Sequence, residues 1–468
     1  MVFSSGIFLF AFLPITLILY YIVPGIKLKN ALLIIASLIF YAFGEPVYIL
    51  LMIMSTIVNY LFGLIVTIER TEIKKIGLIL AVVSNISVLI IYKYSGFIIN
   101  NINIIAGTHI RVPVVTLPVG ISFFTFQALS YVIDVYRKKE LCQKNYFYVL
   151  LYISFFPQLV AGPIVRYEDI YIQFKKREFR INNVAQGIRR FIFGLTKKIL
   201  ISNTMGEMAD SCFTYSHSDY NILIAWMAAL SYLFQIYYDF SGYSDMAIGL
   251  GNMFGFSIKE NFNYPYIAGS VKEFWRRWHI SLSTWFKDYL YIPLGGNRKS
   301  ELRTCMNKFI VFFVTGLWHG ANWTFVVWGL IHGSVSMLES YGIIPQEKLQ
   351  KNIIGRIIGH VYTMVVVVLA FVIFRADTLS QGLFIINKMF TGIHLSYVSV
   401  TWILGRLTPY FITMAIMSII FSIPITQIAR KKLSRLEWCS YVISIILLFL
   451  CVLNLSSANY NPFIYFQF

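Results

Sequence analysis

The chain has 468 residues, of which 58% are hydrophobic and 17% aromatic, and it carries a formal charge of +18. With a mean hydropathy of +0.69, that composition excludes a water-soluble protein and describes a polytopic membrane protein. The lysines and arginines lie between apolar stretches, as the positive-inside rule requires, so membrane lipids are the expected contact of this charge and nucleic acid is not.

The first stretch, "GIFLFAFLPITLILYYIV", is apolar over the roughly 17–25 residues that cross about 30 Å of hydrocarbon. It has no small-residue cleavage site and is read as a retained helix rather than a signal peptide. Further spans are expected near 46–68, 31–44, 76–95 and 114–136. Lys27 and Lys29, then Arg70, Lys74 and Lys75, then Arg137, Lys138 and Lys139 fall on one side, which puts the N-terminus outside. The basic "ARKKLSRLE" precedes a final span at about 438–456, and the uncharged tail is expected outside as well.

The middle is less regular. Residues 145–163 have basic neighbours at both ends, which favours a re-entrant hairpin broken near Pro157 or Gly162 over a crossing. Weaker spans near 187–203 and 222–240 flank the acidic "GEMADSCFTYSHSD". Residues 271–291 are too charged to cross. Phe274, Trp275, Trp278, Leu282, Trp285 and Phe286 recur at helical spacing, so a helix at the cytoplasmic interface is expected, with its tryptophans at headgroup level. The expectation is an all-α integral membrane protein with about 10–12 transmembrane helices. No linker or internal repeat divides it, so residues 1–468 are taken as a single domain.

Ionisable side chains within such spans cost about 2.5–3.5 kcal/mol on insertion scales and mark functional positions. His319, in "TGLWHGANW", lies about 16 Å along a helix starting at Lys308, and Gly320 and Asn322 interrupt the apolar pattern after it. An imidazole beside such a break can face a cavity; a hydrogen bond to a neighbouring helix is the alternative. His279 lies in "RRWHISLSTWF", and Asp239 and Asp245 in "YYDFSGYSDMAIGLG". Those carboxylates could orient a histidine, bind a helix end or line an ion pathway. Arg276, Arg277, Lys287, Arg298 and Lys299 form a basic rim that suits anionic lipid or phosphate. Five scattered cysteines give no disulfide framework and no metal motif, and no Walker, G-x-S-x-G or H-E-x-x-H pattern occurs. On residues alone, a channel or polymer exporter stays open as a rival to an enzyme.

Six stretches in register resemble the membrane-bound O-acyltransferases: "MVFSSGIFLFAFLPI", "LPVGISFFTFQALSYVIDVYR", "FFPQLVAGPIVRYEDI", "YYDFSGYSDMAIGLGNMFGF", "NFNYPYIAGSVKEFWRRWHISLSTWFKDYLYIPLGGNRKS" and "TGLWHGANWTFVVWGLIHG". Within that family they resemble the bacterial branch of alginate and peptidoglycan O-acetylation. The resemblance implies a ring of helices around a thin central region pierced by a funnel and tunnel. It also implies catalytic His319 and His279. Substrate is expected to be held near Arg276, Arg277, Trp278, Lys287, Trp318, Gly320, Asn322, Asp239 and Asp245. Gly320 would leave room for a thioester beside the imidazole. No metal or cofactor is expected. Acetyl-CoA is the implied donor substrate, and an extracytoplasmic acetyltransferase of the SGNH-hydrolase type is the implied partner that modifies a surface polymer from the cell membrane. Teichoic-acid D-alanylation proteins share the R-R-W-H and histidine motifs, so D-alanyl transfer is the alternative reaction.

Overall fold

The computed structural model describes residues 1–215, 217–425, 437–457, 460 and 464, and among these all regular structure is helical. In chain order the helices used below are α1 Phe8–Ile22, α2 Ile26–Ala42, α3 Tyr48–Ile65, α4 Thr71–Ala106, α5 Ile121–Arg137, α6 Tyr146–Ser154 and α7 Phe156–Leu159. There follow α8 at 181–213, α9 Ile222–Met253, α10 Val271–Arg277, α11 Ile280–Phe286, α12 Glu301–His319, α13 Trp323–Ser340 and α14 Ile353–Arg375. The last four are α15 Leu379–Thr391, α16 Tyr397–Arg406, α17 Pro409–Phe421 and α18 Glu437–Ser457. Among the described residues, five segments are long and apolar enough to cross a membrane: α3, α4, α9, α14 and Trp438–Ser457 of α18. The pair α16 and α17, bent by 74°, adds a sixth if counted as one broken span. The shorter helix α1 is apolar as well, and the ten to twelve crossings expected from the sequence exceed the spans that length and composition mark here.

The chain divides into two compact units, Met1–Phe191 with Ser244–Lys259, and Ile192–Tyr243 with Glu260–Phe468. In the first unit α3 and α4 meet through Asn59 and Asn85, whose side-chain amides exchange hydrogen bonds of 3.2 and 2.7 Å. Reciprocal pairing satisfies two amides that apolar surroundings would otherwise penalise. The segment expected to break near Pro157 does break, at Phe155, between α6 and α7. Proline has no amide hydrogen with which to continue the helical ladder. Gln158 instead donates from Nε2 to the Tyr152 carbonyl at 2.6 Å, and the Tyr152 hydroxyl donates to the Val165 carbonyl at 2.8 Å. Residues 149–165 are all buried, so this irregular backbone is covered by protein.

In the second unit α12 and α13 form an antiparallel hairpin. Gly316 and Gly329 make it tight: a Cβ on Gly316 would collide with the Phe325 carbonyl oxygen, and one on Gly329 with that of Phe312. Small residues at these positions bring backbone against backbone, a common device where lipid supplies no hydrophobic driving force. Nearby, Lys198 and Asp239 form an ion pair of 2.6 Å with both side chains almost wholly buried.

The stretch 271–291 departs from expectation. It is not one interfacial helix but α10, α11 and a further turn at Lys287–Tyr291, broken at Trp278 and His279. Its aromatic face lies inside the protein rather than at headgroup level: Phe274, Trp278, Leu282, Trp285 and Phe286 are buried. Trp278 packs on Tyr237, Phe262, Tyr266, Phe274 and Phe371. An apolar helical stripe reads the same in sequence whether lipid or protein covers it. The start of α10 is fixed by Ser270 Oγ, which accepts from the Glu273 amide, and by the buried Glu339 carboxylate, which accepts from the amides of Val271 and Lys272 at 2.7 and 2.9 Å. A carboxylate meets two otherwise unpaired helix amides there.

Candidate active site

His319 is the last residue of α12; Gly320 continues in extended conformation and the helical ladder stops. The imidazole is 5% exposed, and its Nδ1 lies 2.7 Å from the Thr315 carbonyl oxygen one turn back. A carbonyl only accepts, so Nδ1 carries the hydrogen and Nε2 carries the basic lone pair. Trp318, Trp328 and Phe374 pack edge-on to the ring, with centroids 5.0, 4.8 and 5.4 Å away.

His279 reaches the same cluster from α10 and α11. It sits between them at φ 45°, a left-handed conformation unusual for a non-glycine residue, and is 2% exposed. Its ring packs on Phe240, Phe262 and Trp318, each 6.2 Å between centroids, so Trp318 touches both histidines. Burial, with His319 adding to it, pushes the His279 pKa down to about 3 and keeps the ring neutral. His332 completes a group of three. It is wholly buried on α13, against Phe274, Trp275 and Trp328.

A cavity of about 130 Å³ opens one turn below His319, lined by Trp275, Leu282, Ser283, Phe286, Val311, Phe312 and Thr315. Among the described residues, His279 Nε2, both nitrogens of His332 and the indole nitrogens of Trp275 and Trp328 are buried with no hydrogen-bond partner. Buried polar atoms are almost always paired, so this group marks a place where a polar ligand would be held; of its residues, Trp275 lines the cavity.

The other expected site residues separate into groups. Trp318 and Trp278 belong to the aromatic wall. Asn322 caps α13, accepting from the Thr324 amide, and donates to the Asp377 carbonyl at 3.0 Å. Gly320 lies against Phe325, whose ring occupies the place where a Cβ on this residue would go. Asp239 is engaged by Lys198 and by the Ile464 amide. Asp245 belongs to the first unit, where it receives two hydrogen bonds from Arg190 at 3.0 and 2.8 Å. Arg277 pairs with Glu273 at 2.8 Å, whereas Arg276 and Lys287 are exposed. Thr315 and Asn261, which hold the two histidines, were not expected. Thr315 stands four residues before His319, a spacing legible on any helix; Asn261 has no local signal.

The model of the MBOAT, membrane-bound O-acyltransferase family matches residues 143–375, the stretch that contains both α10 and the α12–α13 hairpin. The chain is 44% identical over 400 residues to a probable alginate O-acetylase of Pseudomonas aeruginosa, covering 84% of this chain and 75% of that one. It is 38% identical to a probable alginate O-acetylase of Azotobacter vinelandii, over 100% of both chains. To a peptidoglycan O-acetyltransferase of Helicobacter pylori it is 34% identical, over 100% of this chain and 98% of the other. With an all-helical fold, several apolar spans and full-length relatives of this kind, the chain belongs to the membrane-bound O-acyltransferase family.

Proposed function

We propose that this chain moves an acetyl group from cytoplasmic acetyl-CoA to the far side of the membrane. There a partner transferase esterifies hydroxyls of a cell-surface or extracellular polysaccharide. The names of the relatives, alginate and peptidoglycan O-acetylating proteins, support acetyl as the group and a polysaccharide as its destination. The observation that carries the reading is the tie between His319 Nδ1 and the Thr315 carbonyl, which leaves the basic lone pair on Nε2 in a ring cluster with unpaired buried polar atoms, one helical turn from a cavity that Thr315 and Trp275 line.

The chemistry follows from that tautomer. An acceptor hydroxyl gives its proton to His319 Nε2 as its oxygen bonds to the thioester carbonyl carbon. The carbon–sulfur bond then breaks, and the departing thiolate takes the proton back from the imidazolium. His279, across Trp318, orients the acyl donor. The donor's phosphates would meet Arg276 and Lys287, which are exposed, as are Lys272, Arg298 and Lys299, while Arg277 holds its own helix through Glu273. N- and C-termini lie outside in this arrangement, as loop charge indicates.

The test is binding of acetyl-CoA by the purified full-length chain, measured by equilibrium dialysis. Arg276→Glu combined with Lys287→Glu is expected to weaken binding by about tenfold or more, the scale of one lost charge-assisted phosphate contact. Absence of any saturable acetyl-CoA binding by the wild-type chain would contradict the donor assignment.

A further inference from the structure

Asn261 lies 18 residues before His279, in the segment that leads into α10, and its side chain and backbone both meet the histidine turn. Its Oδ1 is approached by three groups: the Ser281 amide at 3.1 Å, the Ser281 hydroxyl at 2.9 Å and His279 Nδ1 at 3.2 Å. A backbone N–H can only donate, so the Asn261 atom facing Ser281 is the amide oxygen. His279 Nδ1 meets that same oxygen and must therefore carry the hydrogen. The backbone repeats the attachment. The Ile280 amide donates to the Asn261 carbonyl at 2.9 Å, and the Asn263 amide to the Arg277 carbonyl at 2.9 Å, which holds His279 in its left-handed conformation.

We propose that Asn261 is a positioning residue that fixes His279 in the Nδ1–H tautomer, so that its buried Nε2 enters the reaction as a hydrogen-bond acceptor. The inference rests on the reading above that His279 belongs to the reaction site. It changes what His279 does there. A neutral ring with its hydrogen on Nδ1 has nothing to donate from Nε2, so it does not hydrogen-bond the thioester carbonyl oxygen. It accepts instead, from an amide N–H of the donor arm or from the acceptor hydroxyl. His319 has the same tautomer by the same logic, since Thr315 offers a carbonyl. His279 and His319 thus present two basic nitrogens and no uncommitted N–H, and the oxyanion must draw on other groups, such as the buried indole N–H groups of Trp275 and Trp328 or the ring N–H of His332.

The groups facing the His279 ring limit what else sets its state. From α9 it meets Phe240, from the 260–264 segment Asn261 and Phe262, and from α12 Trp318 and the charge of His319. His319 is the titratable member of that set, and it opposes protonation.

The experiment is nitrogen NMR on the full-length chain labelled with 15N-histidine, with His279→Gln assigning the His279 signals by difference. The wild-type chain is expected to show a protonated Nδ1 and a bare Nε2 at His279. Asn261→Leu is expected to lose that tautomer preference and to lower kcat by about tenfold, with KM for acetyl-CoA little changed, the scale of a lost orienting partner. A protonated Nε2 in the wild-type chain overturns the proposal, as does an Asn261→Leu variant that keeps the tautomer. If Asn261→Leu does not fold, Asn261→Asp decides. It retains the accepting oxygen and adds a negative charge, so His279 should keep the hydrogen on Nδ1 and become doubly protonated at a higher pH than in the wild type. No upward movement in that variant also overturns the proposal. Full activity in His279→Gln, with the wild-type tautomer as expected, would remove His279 from the reaction while leaving the Asn261 assignment intact.

Discussion

His319 closes α12 with its Nδ1 nitrogen 2.7 Å from the Thr315 carbonyl oxygen, within its own helix. The bond answers the question that the residue raises in sequence. It does not tie the histidine across to a neighbouring helix; it aims the ring. The side chain reaches back one turn to a carbonyl of its own helix, and α12 stops at the next residue, Gly320, which is extended.

Gly320 tests whether that break is a space or a packed joint. Because Phe325 already lies where a Cβ would go, Gly320→Leu is expected to lower thermal stability as well as activity, by about 1–3 kcal/mol for overpacking. Thermal unfolding in detergent measures it. A Gly320→Leu chain as stable as the wild type would show that the Phe325 ring yields easily.

The hairpin contact is the second test. Gly316→Val drives a side chain into the Phe325 carbonyl and should separate α12 from α13. Transfer should fall together with stability, since Trp328 of α13 packs on His319 across the same joint. Unchanged unfolding temperature and activity would contradict the close approach.

The Lys198–Asp239 pair gives a stability prediction with a built-in control. Removing one partner leaves a buried charge unpaired, so Asp239→Leu is expected to cost about 3–5 kcal/mol. Lys198→Met together with Asp239→Leu should recover most of that loss, although the Ile464 amide still loses its acceptor. A single variant as stable as the double would mean that the pair is not buried as described.

Glu339 anchors the element that carries His279. Glu339→Gln keeps an accepting oxygen but loses the charge that meets two helix amides, and should cost about 1–3 kcal/mol. Acetyl transfer should fall with it, and Glu339→Asp should restore part of the loss. Wild-type stability and rate in Glu339→Gln would show that Ser270 alone suffices to start α10.

Much of this architecture is legible in the sequence. The apolar stretches near 7–23 and 46–68 become α1 and α3, and the break after His319 is announced by Gly320 and Asn322. What sequence periodicity does not carry is which partner covers an apolar stripe. Phe274, Trp278 and Trp285 have the spacing of a membrane-surface helix and are instead buried inside the protein. A second blind spot is pairing at long range. Asp239 and Asp245 read alike as intramembrane carboxylates, yet Lys198 and Arg190 occupy them, and neither cation stands at a helical spacing from its partner. Asn261 belongs with these: an asparagine in a loop has no pattern that points to a histidine 18 positions later.

The central claim is that His319 Nε2 is the base in acetyl transfer. The most direct measurement is the rate of acetyl transfer from acetyl-CoA to a hydroxyl acceptor by the purified His319→Ala chain, read beside its unfolding temperature. The expected result is a loss of at least about 10²-fold, the usual contribution of a positioned general base, with an unfolding temperature close to the wild type. Transfer at the wild-type rate by a folded His319→Ala chain would contradict it.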